Sequence, residues 1–204
     1  MAKQIVVLVS GSGTNLQALI DAERAGQLGG TIALVVSNRK GAYGLVRAAE
    51  ASIPTLVRTL KEYRDAGRSR EEYDRDLAEH IAATLEPDLV VLAGWMHILS
   101  PAFINRFRGK IINLHPALPG ELDGAHAIDR AYAEFVAGSR TRTGAMVHYV
   151  IPEVDKGEPI LVEEVPCVAG DTLESLESRI HAVEHQLLPK AVRHVLQGDH
   201  SPQE

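Results

Sequence analysis

Four apolar segments constrain the fold of this 204-residue chain more than any other feature. They lie at residues 5–10, 31–37, 88–93 and 110–114, and their apolar residues are nearly continuous rather than alternating with polar ones. Continuous runs of this length are typical of strands that are buried on both faces, as in parallel sheets. A shorter strand is predicted at residues 53–57.

Helical patterns separate these strands. Helices are predicted at residues 15–25, 43–51 and 70–85, and Ser100 followed by Pro101 can begin a short helix after the fourth strand. This alternation predicts an α/β protein with a doubly wound, mostly parallel sheet. Such sheets bind ligands beyond the carboxyl ends of their strands, so the loops after the strands are the candidate functional segments.

The second half of the chain adds elements of a different kind. A helix is predicted at residues 126–137. Two strand-like segments at residues 144–151 and 159–165 are separated by a turn that contains glycine. Together they predict an antiparallel pair that extends the sheet at its C-terminal side.

A long helix is the last predicted element. Apolar residues from Leu173 to Leu187 recur at steps of three and four, which places them on one helix face. Asp171 and Glu174 resemble the start of that helix, Gly198 ends it, and residues 199–204 form a polar tail. Because no linker interrupts the pattern, residues 1–204 are predicted to form a single domain.

Composition excludes several classes of protein. Hydrophobic residues make up 45% and charged residues 24%, which is typical of a globular chain. The net charge of −6 argues against a nucleic-acid partner. No apolar run reaches the roughly 18 residues of a membrane span, and the first is too short for a signal peptide. A cytoplasmic protein with no membrane partner is therefore predicted.

The loop Ser10-Gly11-Ser12-Gly13-Thr14-Asn15 lies between the first strand and the first helix. Glycines allow the backbone to turn tightly, and free N–H groups at a helix start attract anions. Ser12, Thr14 and Asn15 add side-chain donors, so the loop predicts a phosphate site. The alternative is a plain strand-to-helix turn in which Thr14 or Asn15 caps the helix.

A dinucleotide site fits this loop less well. Leu16 stands where the dinucleotide fingerprint has its third glycine, and Asn38-Arg39-Lys40 follows the second strand in place of an acidic residue. This excludes the usual NAD pattern but leaves an NADP-binding oxidoreductase open, since Arg39 can accept a 2′-phosphate. No Gly-Lys-Ser/Thr follows, which excludes a Walker loop. The monophosphate of a small substrate fits best.

Polar residues at the end of the fifth strand are the strongest catalytic candidates. Asn113 and His115 are two residues apart, so both face the same side of the strand. An amide and a protonated imidazole together can stabilise an oxyanion. Asp155, in the turn after the sixth strand, would favour the imidazolium form. The alternatives are strand-end packing for the pair and a simple turn position for Asp155 before Gly157.

Other chemistry is weakly indicated. The single Cys167 lies in an apolar run, which suits a packed thiol, and it excludes an intramolecular disulfide and a cysteine-rich zinc site. No serine lies on a Gly-x-Ser-x-Gly elbow. His181 and His185 are four residues apart on a helix with Glu184 between them, but no third metal ligand stands out. We predict neither a nucleophile nor a metal.

Six segments of the chain resemble the phosphoribosylglycinamide formyltransferases, which are folate-dependent enzymes of purine synthesis. The segments are VLVSGSGTNLQALI, SREEYDRDL, VVLAGWMHILSPAF, INLHPALPG, VDKGEPI and AGDTLESLESRIHAVEHQLLP. The resemblance extends from Ile5 to about Leu196. It implies a formyltransferase-type Rossmann-like fold, with a phosphate-binding half at about 1–100 and a catalytic and folate half at about 101–197.

The resemblance also implies an activity and a set of site residues. The activity is transfer of the formyl group of 10-formyltetrahydrofolate to the amine of glycinamide ribonucleotide, without a metal, in a monomer or weak homodimer. The implied catalytic residues are Asn113, His115 and Asp155. The implied substrate-binding residues are Ser12, Gly13, Thr14, Asn15 and Glu184. The implied folate-binding residues are Arg70, Met96, His97, Ile98, Leu99, Ile151, Pro152, Glu153 and Val154.

This chain departs from related sequences at two places. His97 stands where bacterial relatives usually carry arginine, and the loop of residues 116–120 reads Pro-Ala-Leu-Pro-Gly where Pro-Ser-Leu-Leu-Pro is commoner. Two relatives with similar catalytic residues, formyltetrahydrofolate deformylase and methionyl-tRNA formyltransferase, carry an extra domain that 204 residues do not accommodate. The alternative functions from other classes of protein are an NADP-binding oxidoreductase and a catalytically silent phosphometabolite-binding protein.

Overall fold

Seven strands form one sheet in the computed structural model, which describes residues 2–198. In chain order they are β1 (Gln4–Val9), β2 (Thr31–Ser37), β3 (Thr55–Val57), β4 (Leu89–Leu92), β5 (Ile111–His115), β6 (Arg142–Tyr149) and β7 (Pro159–Pro166). Across the sheet their order is β3-β2-β1-β4-β5-β6-β7. The first five strands are parallel, and β6 and β7 continue the sheet antiparallel. The predicted fold class is confirmed.

Residues 2–198 also contain seven helices and one 3-10 turn. The helices are α1 (Thr14–Arg24), α2 (Gly44–Glu50), α3 (Leu60–Asp65), α4 (Arg70–Thr84), α5 (Pro101–Ile104), α6 (Ala127–Val136) and α7 (Leu173–Leu196), with the 3-10 turn at Asn105–Phe107. The bounds of the predicted strands and of the four bounded predicted helices differ from these by at most two residues. The polar tail predicted for residues 199–204 lies outside the described residues.

The start of α7 corrects one prediction. Asp171 and Glu174 do not form its cap; Thr172 is the N-cap residue. The hydroxyl of Thr172 accepts from Ser175 N, and the Ser175 hydroxyl accepts from Thr172 N. Asp171 instead accepts hydrogen bonds from the guanidinium of Arg179, which lies eight residues further along the chain. A serine thus takes the place that Glu or Gln usually holds in such a capping box.

The strand β1 shows why continuous apolar runs indicated a parallel sheet. Its five apolar residues alternate between two hydrophobic clusters on opposite faces of the sheet, and all five are buried. Ile5, Val7 and Val9 pack in the cluster that includes α1 and α7 residues, whereas Val6 and Leu8 pack in the cluster that includes α4 residues. Helices therefore cover both faces of the sheet, and the polar positions are left to the strand ends.

A cavity of about 840 Å³ lies at the carboxyl ends of the central strands. Its walls are the loops that follow β1, β4 and β5, the turn between β6 and β7, and part of α7. This is the edge at which open α/β sheets bind ligands. No helix among residues 2–198 is long and apolar enough to span a membrane.

Candidate active site

The three predicted catalytic residues meet on the cavity wall. Asn113 and His115 project from the end of β5, and Asp155 lies in the turn between β6 and β7. The Asp155 Oδ1 atom is 3.4 Å from Asn113 Nδ2, and its Oδ2 atom is 3.4 Å from His115 Nδ1. The Gly124 N–H donates to Asp155 Oδ2 at 2.8 Å, which fixes the carboxylate between the two side chains. The structure therefore brings the trio together.

His148 is a fourth member of this group that the sequence analysis missed. It lies on β6 directly opposite Asn113 and is buried. Its Nδ1 atom is 2.8 Å from the Tyr149 carbonyl, so the ring proton is placed on Nδ1. The Nε2 atom is then free to accept from Asn113 Nδ2 at 3.2 Å, and it also lies 3.5 Å from Asp155 Oδ1. His148 therefore orients the Asn113 amide.

The two nitrogens of His115 both face acceptors. Nδ1 faces Asp155, and Nε2 lies 3.2 Å from the Leu122 carbonyl. Burial lowers the pKa of His115 from its usual value, while the Asp155 carboxylate acts to raise it. Asp155 does favour the imidazolium as predicted, but burial outweighs it. His115 consequently loses its proton more readily than a free histidine.

The pKa of Asp155 shifts in the direction that keeps it ionised. Burial alone acts to raise it, but the Gly124 N–H and the positive charge of the neighbouring imidazolium act to lower it, and the net shift is below its usual value. Asp155 is also one of the non-glycine residues with a positive φ, at 55°. The turn thus holds the carboxylate in a backbone conformation that L-residues rarely adopt.

The glycine loop is shaped by its backbone. Gly13 is the N-cap of α1 with φ 71°, and neither Thr14 nor Asn15 caps the helix, so the plain-turn alternative fails in that detail. A Cβ on Gly13 would lie 2.6 Å from the Gly44 Cα, which only glycine avoids. The side chain of Arg47 on α2 donates to a loop carbonyl at 2.9 Å. The loop is therefore held open by α2 and lines the cavity with all four predicted residues.

Glu184 lies on α7 at the same end of the cavity. It is buried, and its Oε2 atom is 3.4 Å from Asn15 Nδ2 and 3.9 Å from His181 Nε2. Burial raises the pKa of Glu184 above its usual value. His181 stacks on His185 with ring centroids 6.4 Å apart. Within residues 2–198, no three His, Cys, Asp or Glu side chains are grouped to hold a metal ion.

The predicted folate segments, residues 96–99 and 151–154, line the other side of the cavity. Met96 and Ile98 expose 70% and 57% of their surface there. Arg70 is placed differently from the rest of the predicted set. It is not among the cavity-lining residues, and its guanidinium donates to the Ile98 carbonyl. Exposed apolar side chains on a cavity wall are suited to an apolar ligand surface.

Cys167 has the packed environment that the sequence predicted. Its neighbours are the apolar residues of a small cluster under α7, which includes Val165, Leu176 and Ile180. Burial is the main reason that the pKa of its thiol is raised. A thiol with a raised pKa is a poor nucleophile, and Cys167 is not among the residues that line the cavity.

Comparisons with known proteins give a consistent family. The formyl transferase family matches residues 3–192. The phosphoribosylglycinamide formyltransferase of Schizosaccharomyces pombe is 52% identical, over 96% of this chain and 98% of the relative, and that of Escherichia coli is 40% identical, over 92% and 84%. A crystal structure of glycinamide ribonucleotide transformylase 1 from Symbiobacterium toebii superimposes with a TM-score of 0.89 at 39% identity, covering 97% of this chain and 89% of that one.

Proposed function

The chain belongs to the formyl transferase family, and on that premise we propose that it transfers the formyl group of 10-formyltetrahydrofolate to the amine of glycinamide ribonucleotide. This is a step of purine biosynthesis. The observation that carries the proposal is the catalytic trio, Asn113, His115 and Asp155, between an anion-binding loop and an apolar wall of one cavity. One side of the cavity suits the ribonucleotide and the opposite side suits the formyl folate.

The ribonucleotide fits the side formed by the glycine loop and α7. The phosphate would accept hydrogen bonds from the backbone N–H groups at the start of α1 and from the side chains of Ser12, Thr14 and Asn15. Glu184 lies across from the loop, within reach of Asn15. As a carboxyl group it can orient the glycinamide amine toward the trio. The hydrogen-bond donors of the loop thus match the phosphate of the ribonucleotide, and the carboxyl group of Glu184 matches its amine.

The formyl folate fits the opposite side. Met96 and Ile98 present apolar surface to the cavity, and Ile151 and Val154 are also exposed there. The bicyclic pterin of the folate has faces that can pack on these side chains and polar edges that backbone groups of these two segments can bind. The formyl group would then lie at the trio, beside the amine. Holding two reactants in this way can supply several kcal/mol of the barrier reduction, about 7–11 in the best cases.

The residues of the trio support direct transfer. The amine nitrogen forms a bond to the formyl carbon, and the bond from that carbon to the folate nitrogen breaks. Between the two events the formyl oxygen carries negative charge, which Asn113 Nδ2–H and a ring N–H of His115 would stabilise. One such donor is typically worth about 3–4 kcal/mol. Asp155 would receive the proton of the attacking nitrogen, directly or through a water, and return it to the leaving nitrogen.

His148 contributes through Asn113. Because its Nε2 atom accepts one of the two Nδ2 hydrogens, the other is directed at Asp155 Oδ1, 3.4 Å away. The amide is therefore oriented before substrate arrives, which is how an oxyanion site avoids a reorganisation cost. This preorganisation needs no covalent enzyme intermediate.

The decisive experiment incubates the purified protein with 10-formyltetrahydrofolate in the presence and absence of glycinamide ribonucleotide. Loss of the formyl group, followed by folate absorbance, is expected only with the ribonucleotide present. Equal loss without it would identify a deformylase. No loss in either case would contradict the proposal, and titration with NADP, followed by the fluorescence of the single Trp95, would then test the oxidoreductase alternative.

A further inference from the structure

The loop between β4 and α5 alternates in the direction of its side chains. Met96, His97 and Ile98 all line the cavity, and of these Met96 and Ile98 are 70% and 57% exposed. The His97 side chain between them is only 8% exposed and is turned toward α4. A polar residue is therefore buried between the two apolar residues that form the wall for the folate.

Asp74 of α4 is the reason for this burial. Its side chain is 0% exposed, and its two oxygens bind opposite ends of the loop. Oδ1 lies 2.7 Å from His97 Nε2, and Oδ2 accepts from Ser100 N at 2.7 Å. A buried carboxylate without such partners is strongly destabilising, so the loop and the helix are bound to each other through this one group.

Two further contacts fix the same geometry. Arg70 precedes Asp74 by four residues and so lies on the same face of α4, and it donates to the Ile98 carbonyl. The rings of Tyr73 and Trp95 meet the His97 ring edge to face, with centroid distances of 5.4 and 6.2 Å. The imidazole is thereby held in one plane, with Nε2 directed at Asp74.

We propose that His97 and Asp74 are positioning residues of the formyl-folate site. Their pair holds the backbone of the loop so that Met96 and Ile98 keep their place on the cavity wall, and its effect on the ligand passes through those two side chains. The proposal deepens the function proposed above and rests on it. It also reassigns the side chain of His97, which the resemblance to the family had placed among the groups that contact folate.

The reach of the side chain at position 97 provides a sharp test. Glutamine places its amide nitrogen near the position of imidazole Nε2, whereas asparagine places it near Nδ1 and falls short of Asp74. We expect His97→Asn to raise the KM for formyl folate about tenfold, which corresponds to losing one charge-assisted hydrogen bond. His97→Gln should keep it within about twofold. The KM for the ribonucleotide should be unchanged in both variants.

A second variant guards against misfolding of the first. Asp74→Asn keeps the shape of the side chain but removes its charge, so it should also raise the KM for formyl folate. In the His97→Asn background it should add little, because the pair is already broken. Equal KM values for His97→Gln and His97→Asn, or fully additive effects of the double variant, would overturn the proposal.

Binding of formyl folate alone separates this inference from the proposed function. Its Kd, measured by quenching of Trp95 fluorescence, should follow the same order, with His97→Asn weaker than His97→Gln. If formyl folate binds the parent and the two variants in that order but the parent transfers no formyl group, the transferase proposal fails and the positioning role stands. If the parent transfers the group but the two variants bind equally, only the positioning role fails. A parent that does not bind formyl folate overturns both.

Discussion

The two sides of the cavity are built by different means. The glycine loop owes its shape to its backbone, with Gly13 in a left-handed conformation and packed against Gly44. The loop of residues 96–99 owes its shape to a buried side-chain pair, His97 and Asp74. A site built from backbone tolerates almost no change at its critical glycine. A site built from a side-chain pair tolerates any residue that satisfies its partner.

The largest effect on activity is expected for a change at Asp155, which lies where the two sides of the cavity meet. Asp155→Asn keeps the side-chain shape but removes the proton acceptor, so kcat should fall on the order of 10²- to 10⁴-fold. The KM values of both substrates should change little, because neither wall of the cavity is altered. Steady-state kinetics with each substrate varied in turn measures this. Turnover within twofold of the parent would remove Asp155 from the mechanism.

Gly13→Ala tests the glycine loop, whose shape depends on its backbone. Alanine at φ 71° is strained, and its Cβ would clash with the Gly44 backbone, so the loop must shift. The KM for the ribonucleotide should rise on the order of ten- to a hundredfold, and the free energy of unfolding should fall by about 1–3 kcal/mol.

Gly11→Ala is the matched control for this variant. A Cβ on Gly11 would meet nothing within 4 Å, so its free energy of unfolding should stay within about 0.5 kcal/mol of the parent. Denaturant unfolding of both variants makes the comparison. Equal losses of stability would show that steric fit at Gly13 does not shape the loop.

Asn15→Ala tests the side-chain contribution on the same side. It removes one donor to the phosphate and the 3.4 Å contact with Glu184, while the backbone of the loop is kept. The KM for the ribonucleotide should rise about fivefold, the value of one ordinary hydrogen bond. The KM for formyl folate serves as the internal control and should not move. A comparable rise in both would mean that the two walls are not independent.

The smallest expected effect concerns pH. Burial lowers the pKa of His115 in the folded state below the usual 6.5. At pH values between the two pKa values, the unfolded chain therefore binds more protons than the folded chain. The stabilising contribution of neutral His115 is then complete above about pH 6.5 and declines as the pH falls. His115→Gln should flatten the decline of the unfolding free energy between pH 7.5 and 5.5 by up to about 1 kcal/mol. An unchanged slope would show that burial does not control this proton.

Much of the fold followed from local patterns, because a strand buried on both faces has a distinctive sequence. Val6 and Val7 pack on opposite faces of the sheet, and both had to be apolar. Helix α3 (Leu60–Asp65) was missed because it has no buried residue and so no apolar periodicity. The cap at Thr172 was missed because Ser175 replaces the usual Glu or Gln.

The residues of the site likewise divide into those that local sequence patterns predict and those that they do not. Asn113 and His115 could be predicted because they interrupt an apolar strand at the end where ligands bind. His148 and Asp74 could not, because each acts through a partner that is distant in sequence and that only tertiary structure reveals. The roles of the site residues, the single-domain organisation, the cytoplasmic location and the monomer or weak homodimer stay predictions.

The antiparallel hairpin at the edge of the sheet also affects the order in which the protein is completed during synthesis. When the chain has grown to residue 141, the glycine loop, Asn113 and His115 are all present, but β5 is an open edge and the acid is missing. Pairing of β6 covers that edge and aligns His148 with Asn113, and the turn that follows β6 carries Asp155 to the same group of side chains. The segment that covers the open edge of β5 is thus also the segment that completes the group of Asn113, His115, His148 and Asp155.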